Sequence, residues 1–437
     1  MSIVSRRRIA VLPAAIAFVL SWLLLAAPPL RASETLEVWT HITLGSGIIG
    51  QQLQRMIERF EQETGIEVVV ATQPYDTYTS MFVTAAAGAA VPDVWWTTTP
   101  AEFGRLGLLT PLDAYIERSQ VIDWDDFFGA PKIYSVDRFG GGVIYGVPLE
   151  TDARVLIWNR DLFLESGLPD DQPPAFWDEL MAYTQRLTRL ADSGLDRAGF
   201  EFTGEGQWFL IWLGTAGGSL WDESTVPPIA VPDYEAMVRG YTFVRDMVNI
   251  LGGPEVYDAY TADWGARPAR FQTSTAMMVA GSWELPHLIR NFPDLRFGVG
   301  HIPIHREFGR PYTLSGGWSI TIPRGAKNPE GAWRFIEFMT NTAAIVEWAS
   351  VNGYVPPRYS AADSYEFQSW PERQVLEVAM HGQEWPPSYG AGYDWHAGFL
   401  DVIAGRQAPE IAAQRVRESL QIAANEFFRQ IGEQSAE

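Results

Sequence analysis

Residues 36–70 have the sequence LEVWTHITLGSGIIGQQLQRMIERFEQETGIEVVV, which predicts a strand, a helix and a second strand. The helix is indicated by apolar residues that recur every three or four positions. They are Ile49, Leu53, Met56 and Phe60. Gly65 is expected to end the helix, because glycine adopts the left-handed conformation of a helix C-cap without strain. The apolar residues Ile66, Val68 and Val70 then predict the second strand.

The alternation of strands and helices continues along the chain. Asp93-Val94-Trp95-Trp96 predicts a third strand, and later helices are predicted near residues 174–187, 329–339 and 409–431, the last with Ile411 and Leu420 turned inward. A β-α-β-α-β order predicts an α/β fold with helices on the faces of the sheet and ligands at the carboxyl ends of the strands. The chain shows no internal repeat and no low-complexity linker, so composition marks no domain boundary.

Composition excludes several classes of protein. The 437 residues include 53 acidic and 32 basic side chains, which give a net charge of −21 and argue against binding to nucleic acid or to an anionic membrane surface. The chain has no Cys, which excludes disulfides, thiolate catalysis and iron–sulfur clusters. A hydrophobic content of 47% and this length predict an ordered protein with enough core for two or three domains.

The first 32 residues have the pattern of a secretory signal peptide. Ser5-Arg6-Arg7-Arg8 precedes an apolar run from Ile9 to Leu30, and Ala32 suits the position before a cleavage site. The run is also long enough for an uncleaved membrane anchor, although Pro28-Pro29 disfavours a spanning helix. Cleavage after Ala32 would make the net charge more negative, −25, because it removes four Arg and no acidic residue. We expect a periplasmic protein; the sequence leaves Sec and twin-arginine export open.

Nine motifs, taken in chain order, identify a family resemblance. They are LEVWTH (36–41), FEQETGIEV (60–68), AAGAAVPDV (86–94), GVPLETD (146–152), WNRDLF (158–163), PAFWDEL (174–180), AMM with GSW (276–278 and 281–283), GGWSI (316–320) and AWRFI (332–336). Each is weak alone, but together they indicate a resemblance that spans residues 36 to about 425 without a large gap. In this order they resemble the family 1 extracellular solute-binding proteins, the maltose-binding-protein-like receptors of ABC sugar importers.

The resemblance implies a periplasmic-binding-protein-like fold, in which two α/β lobes are joined by crossing hinge segments and hold the ligand in the cleft between them. The chain would pass between the lobes more than once, near residues 148–150, 306–311 and 353. The implied segments are 34–148 and 310–352 for the first lobe, and 152–305 and 354–437 for the second. Closure around the ligand would be a hinge motion.

The resemblance also implies which residues face the ligand. A sugar presents a C–H-rich face to an aromatic ring and hydroxyls to carboxylates, amides and guanidinium groups, so aromatic and polar residues in loops are the candidates. We expect Trp283 and Asp152 to bind ligand rather than to serve the core, whereas Trp318 and Arg358 suit either role. The candidates are His41, Thr43, Tyr75, Trp96, Thr97, Asp152, Arg154, Trp208, Trp283, Gly317, Trp318, Arg358, Tyr393, Asp394 and Trp395.

The sequence thus predicts a monomeric sugar-binding protein that delivers its ligand to membrane permease subunits, with no cofactor, no metal and no catalytic residues. Two alternatives remain open. A polyol or glycerol phosphate could be the ligand if Arg154 or Arg358 converged on it. A secreted carbohydrate-active enzyme would need two carboxylates across the scissile bond, for which Asp152 and Asp394 are conceivable. His301 and His305 lie four apart, but Pro303 argues against a metal-binding helix.

Overall fold

A computed structural model of the protein describes residues 35–74, 77–138, 140–202, 209–369, 371–379, 382–384 and 394–434. Strands and helices are mixed along this part of the chain, as expected for an α/β protein. Within these residues no helix is long and apolar enough to cross a membrane. The same residues contain no group of His, Asp and Glu side chains that could hold a metal ion.

The strands are short. They are β1 (Thr35–Thr40), β2 (Glu67–Thr72), β3 (Val94–Thr97), β4 (Val136–Asp137), β5 (Val143–Ile144), β6 (Val147–Pro148), β7 (Arg154–Asn159), β8 (Arg189–Ala191), β9 (Gly194–Arg197), β10 (Trp221–Asp222), β11 (Ile229–Ala230), β12 (Met277–Gly281), β13 (Phe297–Gly300), β14 (Thr313–Ser315), β15 (Ser319–Thr321) and β16 (Gly382–Glu384).

The helices range from one turn to seven. They are α1 (Gly47–Thr64), α2 (Tyr78–Ala87), α3 (Pro100–Arg105), α4 (Asp113–Arg118), α5 (Ala130–Tyr134), α6 (Arg160–Glu165), α7 (Trp177–Leu187), α8 (Phe209–Thr215), α9 (Tyr234–Ile250), α10 (Pro254–Thr261), α11 (Arg267–Thr273), α12 (Leu285–Asn291), α13 (Pro329–Thr340), α14 (Thr342–Asn352), α15 (Tyr359–Ala362), α16 (Glu372–Ala379), α17 (Asp394–Ile403) and α18 (Pro409–Gln434). Short 3₁₀ turns lie at Trp124–Asp126, Trp264–Ala266, Ser282–Glu284 and Tyr365–Phe367.

The first lobe is built on a five-stranded sheet with the order β2-β1-β3-β15-β6. β1 pairs in parallel with β2 and β3, whereas β15 runs antiparallel to β3 and β6. Successive side chains of β3 enter opposite faces, so Trp96 packs with α1, α13 and α14 while Trp95 packs with Phe82 and Phe103. Gly65 ends α1 with φ +71, as the sequence predicts.

The second lobe is built on the antiparallel sheet β12-β7-β13. Every residue of β7 is buried, because helices cover both faces. Leu156 and Trp158 enter the larger core, which contains α7, α8 and α9 and also residues of α17 and α18. Val155 and Ile157 enter a smaller core on the other face. In α18, Leu420 is buried as predicted, but Ile411 is 62% exposed, so its predicted inward position is wrong.

Three segments, which we propose as the crossings between the lobes, hydrogen-bond to one another. The Thr151 hydroxyl donates to the Gly316 carbonyl oxygen at 2.9 Å, and Thr151 and Val355 exchange both backbone hydrogen bonds. β14 packs with the second lobe, because Leu314 lies in its larger core and Thr313 bonds to the Arg154 backbone. The resemblance assigned residues 310–315 to the first lobe; we propose that this crossing lies instead at residues 316–318.

Candidate functional site

A cluster of four residues lies where the lobes join, and we call Asp152, Arg154, Trp283 and Gly316 the crossing cluster. The Asp152 carboxylate accepts a hydrogen bond from the Gly316 backbone N–H at 2.7 Å and forms a buried ion pair with Arg154. The Arg154 guanidinium carbon lies 4.9 Å from the centre of the Trp283 ring, within cation–π distance. A carboxylate, a guanidinium and a partly buried indole are thereby held together at the junction of the lobes.

Local backbone geometry positions this cluster. Gly281 ends β12 opposite Arg154 of β7, so Trp283 follows directly beyond the sheet. The Ser282 N–H donates to the Ala153 carbonyl oxygen at 2.9 Å and fixes the turn that carries Trp283. Tyr354 lies beside the indole, with ring centres 6.3 Å apart. Trp283 therefore lies between the Arg154 guanidinium and the Tyr354 ring within about 6 Å of each.

The first lobe contributes a stacked pair of rings, His41 and Trp318. The ring centres are 4.0 Å apart and the planes are inclined by 22°. His41 follows β1, whereas Trp318 comes two residues after Gly316, so the pair lies beside the crossing. Burial lowers the pKa of the His41 imidazole to about 4, and the ring is therefore neutral at neutral pH. A neutral imidazole carries one hydrogen-bond donor and one acceptor.

Three other predicted residues have contacts within the protein, Gly317 at the crossing and Thr97 and Thr43 in local turns. Gly317 has φ +136, and a Cβ there would lie 2.1 Å from the Glu150 carbonyl oxygen, so only glycine fits. Thr97 is buried at the end of β3, and its hydroxyl accepts the Thr99 N–H at 3.4 Å. Thr43 is exposed in the loop before α1, where its backbone carbonyl accepts from Ser46 at 3.2 Å.

Three predicted ligand residues are core residues instead. Trp96 is fully buried and packs edge-on against Trp348 of α14, with ring centres 5.8 Å apart. Trp395 is 1% exposed inside the larger core of the second lobe. Arg358 is buried, pairs with Asp126 at 2.7 Å and donates to the Thr340 carbonyl oxygen, so it joins parts of the first lobe. The packing of these side chains leaves no ring face or guanidinium edge for a ligand.

Four predicted residues are not tested by this geometry. Tyr75, Trp208 and Tyr393 lie outside the described residues. Asp394 begins α17, but the description does not extend to its side chain.

The sequence interpretation missed Glu150 and Tyr354. Glu150 is 2% exposed on the first crossing, and its carboxylate accepts a short hydrogen bond from the Trp348 indole. Burial, together with the negative charge of Asp152, raises the pKa of the Glu150 carboxyl to about 8 despite that hydrogen bond. Glu150 could have been predicted from the sequence, because it is an acidic residue between Leu149 and Thr151 in a proposed crossing segment. Tyr354 could have been predicted because it is an aromatic residue next to the proposed crossing at Gly353.

Comparison with known proteins identifies the family of this chain. Residues 45–345 match the model of the bacterial extracellular solute-binding proteins. The chain belongs to this family. The resemblance identified from the nine motifs is therefore confirmed. The protein is also similar to the sn-glycerol-3-phosphate-binding periplasmic protein UgpB of Brucella abortus strain 2308, with 23% identity over 56% of this chain and 57% of that protein.

Solved structures share the fold of this solute-binding protein. The GacH receptor of Streptomyces glaucescens, solved unliganded and with acarbose, superimposes with a TM-score of 0.77 at 22% identity, over 90% of this chain and 99% of that one. An ABC transporter solute-binding protein of Thermotoga lettingae bound to α-D-tagatose gives a TM-score of 0.75 at 23% identity, over 89% and 100%. The predicted two-lobed fold is confirmed.

Proposed function

We propose that the protein captures an uncharged carbohydrate between its lobes and delivers it to the membrane subunits of an ABC importer. The observation that carries this proposal is the crossing cluster, in which an indole, a carboxylate and a guanidinium converge beside the His41–Trp318 stack. Aromatic faces suit the C–H face of a sugar ring, and the paired charged groups suit its hydroxyls.

Charge compensation favours a neutral ligand over a phosphate. The positive charge of Arg154 is offset by Asp152 in the same buried pair, so the cluster has no net charge for a dianion. Arg358, the other arginine considered for phosphate binding, is committed to Asp126 and to backbone carbonyl oxygens. Glycerol 3-phosphate remains the main alternative ligand, because a similar protein is named as a glycerol-3-phosphate-binding protein.

Catalysis is not part of this proposal. A glycosidase requires one carboxyl group to donate a proton and another to attack or to activate water. The Asp152 carboxylate instead lies in an ion pair with Arg154 and accepts the Gly316 N–H, contacts that suit a fixed hydrogen-bond acceptor. Incubation with oligosaccharides should leave them uncleaved, and turnover would contradict the binding function.

The proposed site of action is the periplasm. The basic and apolar pattern of residues 1–32 supports export with cleavage after Ala32. N-terminal sequencing of the protein recovered from the periplasm tests this directly. A mature chain that begins at Ser33 is the expected result, and a retained residue 1 would contradict cleavage.

The decisive test is a ligand screen by isothermal titration calorimetry with glucose, tagatose, maltose, maltotriose and glycerol 3-phosphate. We expect saturable binding of at least one saccharide. In a separate thermal unfolding measurement, that saccharide at a concentration of 100 times Kd should raise the free energy of unfolding by about 2.7 kcal/mol. Trp283→Ala should weaken that binding at least about tenfold, because it removes the stacking surface. Phe308→Ala is the matched control, since Phe308 is an aromatic residue of the second lobe that is 48% exposed and outside the cluster. Binding of glycerol 3-phosphate alone would refute the carbohydrate assignment.

A further inference from the structure

The turn that carries Trp283 lies between two of the proposed crossing segments. On one side, the Ser282 N–H donates to the carbonyl oxygen of Ala153, just after the first crossing, at 2.9 Å. On the other side, the Ser282 carbonyl oxygen packs against Gly353 of the third crossing, because a Cβ added to Gly353 would lie 2.7 Å from that oxygen. The backbone of Ser282 is therefore in contact with two segments that join the lobes.

The first and third crossings are paired with each other beside this turn. Thr151 and Val355 exchange both backbone hydrogen bonds, at 2.9 and 2.8 Å. Gly353 ends α14 with φ +73, a left-handed conformation that glycine adopts without strain. Because Ser282 contacts both paired segments, a displacement of either one reaches the turn that carries Trp283.

The contact at Gly353 leaves no room for a side chain. Besides the Ser282 oxygen, an added Cβ would meet Cδ of Pro286 at 2.5 Å and its Cγ at 2.6 Å. Pro286 lies in the first turn of α12, which directly follows the 3₁₀ turn Ser282–Glu284. A methyl group at Gly353 would therefore have to displace the 3₁₀ turn, the start of α12 or both.

The Trp283 ring is also held by its own surroundings. A Cβ at Gly281 would lie 2.3 Å from Cη2 and Cζ2 of the indole, so the ring lies directly over the Gly281 backbone. The Tyr354 ring lies beside the indole, with ring centres 6.3 Å apart. Because Tyr354 follows Gly353, the third crossing lies against both the ring of Trp283 and the turn that carries it.

The Ser282 side chain takes no part in these contacts. Its hydroxyl is fully buried and forms no hydrogen bond within the described part of the chain. The turn is therefore held through its backbone. Loss of this hydroxyl should leave the Trp283 ring in place, whereas a methyl group at Gly353 should move it.

We propose that Gly353 is a positioning residue, which sets the place of the Trp283 ring and links it to the conformation of the third crossing. This role rests on the proposed function, in which Trp283 stacks on the carbohydrate. A change of dihedral angles at residues 353 and 354 shifts the Ser282 carbonyl group, and the stacking surface moves with it. Ligand affinity therefore depends on these hinge residues as well as on the residues that touch the ligand.

The place of the ring can be measured without any ligand. The protein is labelled with fluorotryptophan, and the Trp283 resonance in the ¹⁹F NMR spectrum is the one that is missing in Trp283→Phe. We expect Gly353→Ala to shift this resonance. Gly281→Ala shows the shift that results when the ring itself is displaced, because its Cβ would overlap the indole. Gly65→Ala is the matched control, since Gly65 ends α1 with φ +71 and no atom lies within 4 Å of the point that a Cβ would occupy.

Calorimetry with the saccharide found in the screen gives a second measurement. Gly353→Ala should weaken binding at least about fivefold, whereas Gly65→Ala and Ser282→Ala should each change it less than about twofold. Pro286→Ala removes Cγ and Cδ, which are the atoms closest to the added methyl group. The double variant Gly353→Ala/Pro286→Ala should therefore recover part of the affinity and part of the resonance shift, and it replaces Gly353→Ala if that variant does not fold. Circular dichroism confirms the fold of each variant.

Two results would overturn the positioning role. One is an unshifted Trp283 resonance in the folded Gly353→Ala protein. The other is an equal loss of affinity in Gly353→Ala and Gly65→Ala, which would assign the effect to backbone strain at the end of a helix. Failure of the proposed function differs from both, because no saccharide would then bind the unaltered protein, or Trp283→Ala would bind it as tightly. The ¹⁹F resonance still tests the link between Gly353 and the ring in that case.

Discussion

The Glu150 carboxyl group is enclosed at the first crossing, and its pKa of about 8 couples stability to pH. The folded-state pKa lies above the ordinary value of 4.5, so the folded protein retains a proton that the unfolded chain releases. Proton retention by Glu150 therefore makes its full contribution to the free energy of unfolding below about pH 4.5. This contribution is lost as the pH rises toward 8, by at most about 1.4 kcal/mol per pH unit. Glu150→Gln should remove this pH dependence, because an amide does not ionise in this range. The amide oxygen can still accept the hydrogen bond from the Trp348 indole.

Urea titrations at pH 5, 6.5 and 8 measure the effect. The free energy of unfolding of Glu150→Gln relative to the unaltered protein should increase with pH. Glu63→Gln serves as the control, since Glu63 is exposed on α1 and lies far from the crossing in sequence. A constant difference across the three pH values would contradict a neutral Glu150 in the folded state.

Arg358 provides a second test at the level of one residue. Replacement of a buried ion-pair partner leaves an uncompensated charge, here that of Asp126, and Arg358→Met should cost about 3 kcal/mol of stability. Ligand affinity should stay within a factor of about two, because the side chain faces the first-lobe core. Urea titration and calorimetry on the same preparation distinguish the two effects. A large loss of affinity without loss of stability would show that Arg358 contacts the ligand after all.

Motif position alone could not separate ligand-facing from buried tryptophans. Trp96 lies near the end of β3 and Trp283 follows β12, and both were predicted to bind the ligand. Trp96 is enclosed because Trp348, 252 residues later in the chain, packs against its ring. Trp283 is only partly buried, and the Arg154 guanidinium carbon lies 4.9 Å from its ring centre. The decisive contacts are long-range, and local periodicity contains no information about them.

Among the elements, the apolar pattern was sufficient for the first four of the first lobe, since β1, α1, β2 and β3 all form where the pattern places them. The lobe to which β14 belongs was harder to predict. The segment Thr313–Ser315 is short, and its strand partner among the described residues is β16, which lies 67 residues later in the chain. Its lobe is decided by Leu314, which enters the second-lobe core, and one leucine in a three-residue strand does not reveal its partner.

The tight contact between crossing segments leads to a prediction for Gly317. An added Cβ would lie 2.1 Å from the Glu150 carbonyl oxygen and 2.7 Å from Pro131, and φ +136 is strained for any other residue. Gly317→Ala should therefore destabilise the protein by about 3 kcal/mol, from backbone strain and overpacking together. Gly141→Ala is the matched control, because Gly141 has φ +84 but no atom within 4 Å of the point that a Cβ would occupy. Equal losses in urea titrations of the two variants would show that the crossing is not tightly packed.

For the whole molecule, the net charge gives a test of ligand chemistry that does not depend on any one side chain. The chain has a net charge of −21, and −25 if residues 1–32 are removed. A dianionic ligand would be repelled at long range and attracted only by a local arginine, so its affinity would change with ionic strength. Arg154 is already compensated by Asp152, and a neutral sugar interacts with neither the net charge nor the screening ions.

We therefore expect the Kd of the carbohydrate found in the screen to change by less than about twofold between 0.05 and 0.5 M NaCl. Calorimetry at three salt concentrations with a constant buffer measures this, and sodium sulfate at matched ionic strength controls for chloride binding. A Kd that varies several-fold with ionic strength would indicate a charged ligand or a cluster whose charges are not paired in solution. Independence from salt, together with a loss of affinity in Trp283→Ala, would place the binding energy in stacking and short hydrogen bonds at the junction of the lobes.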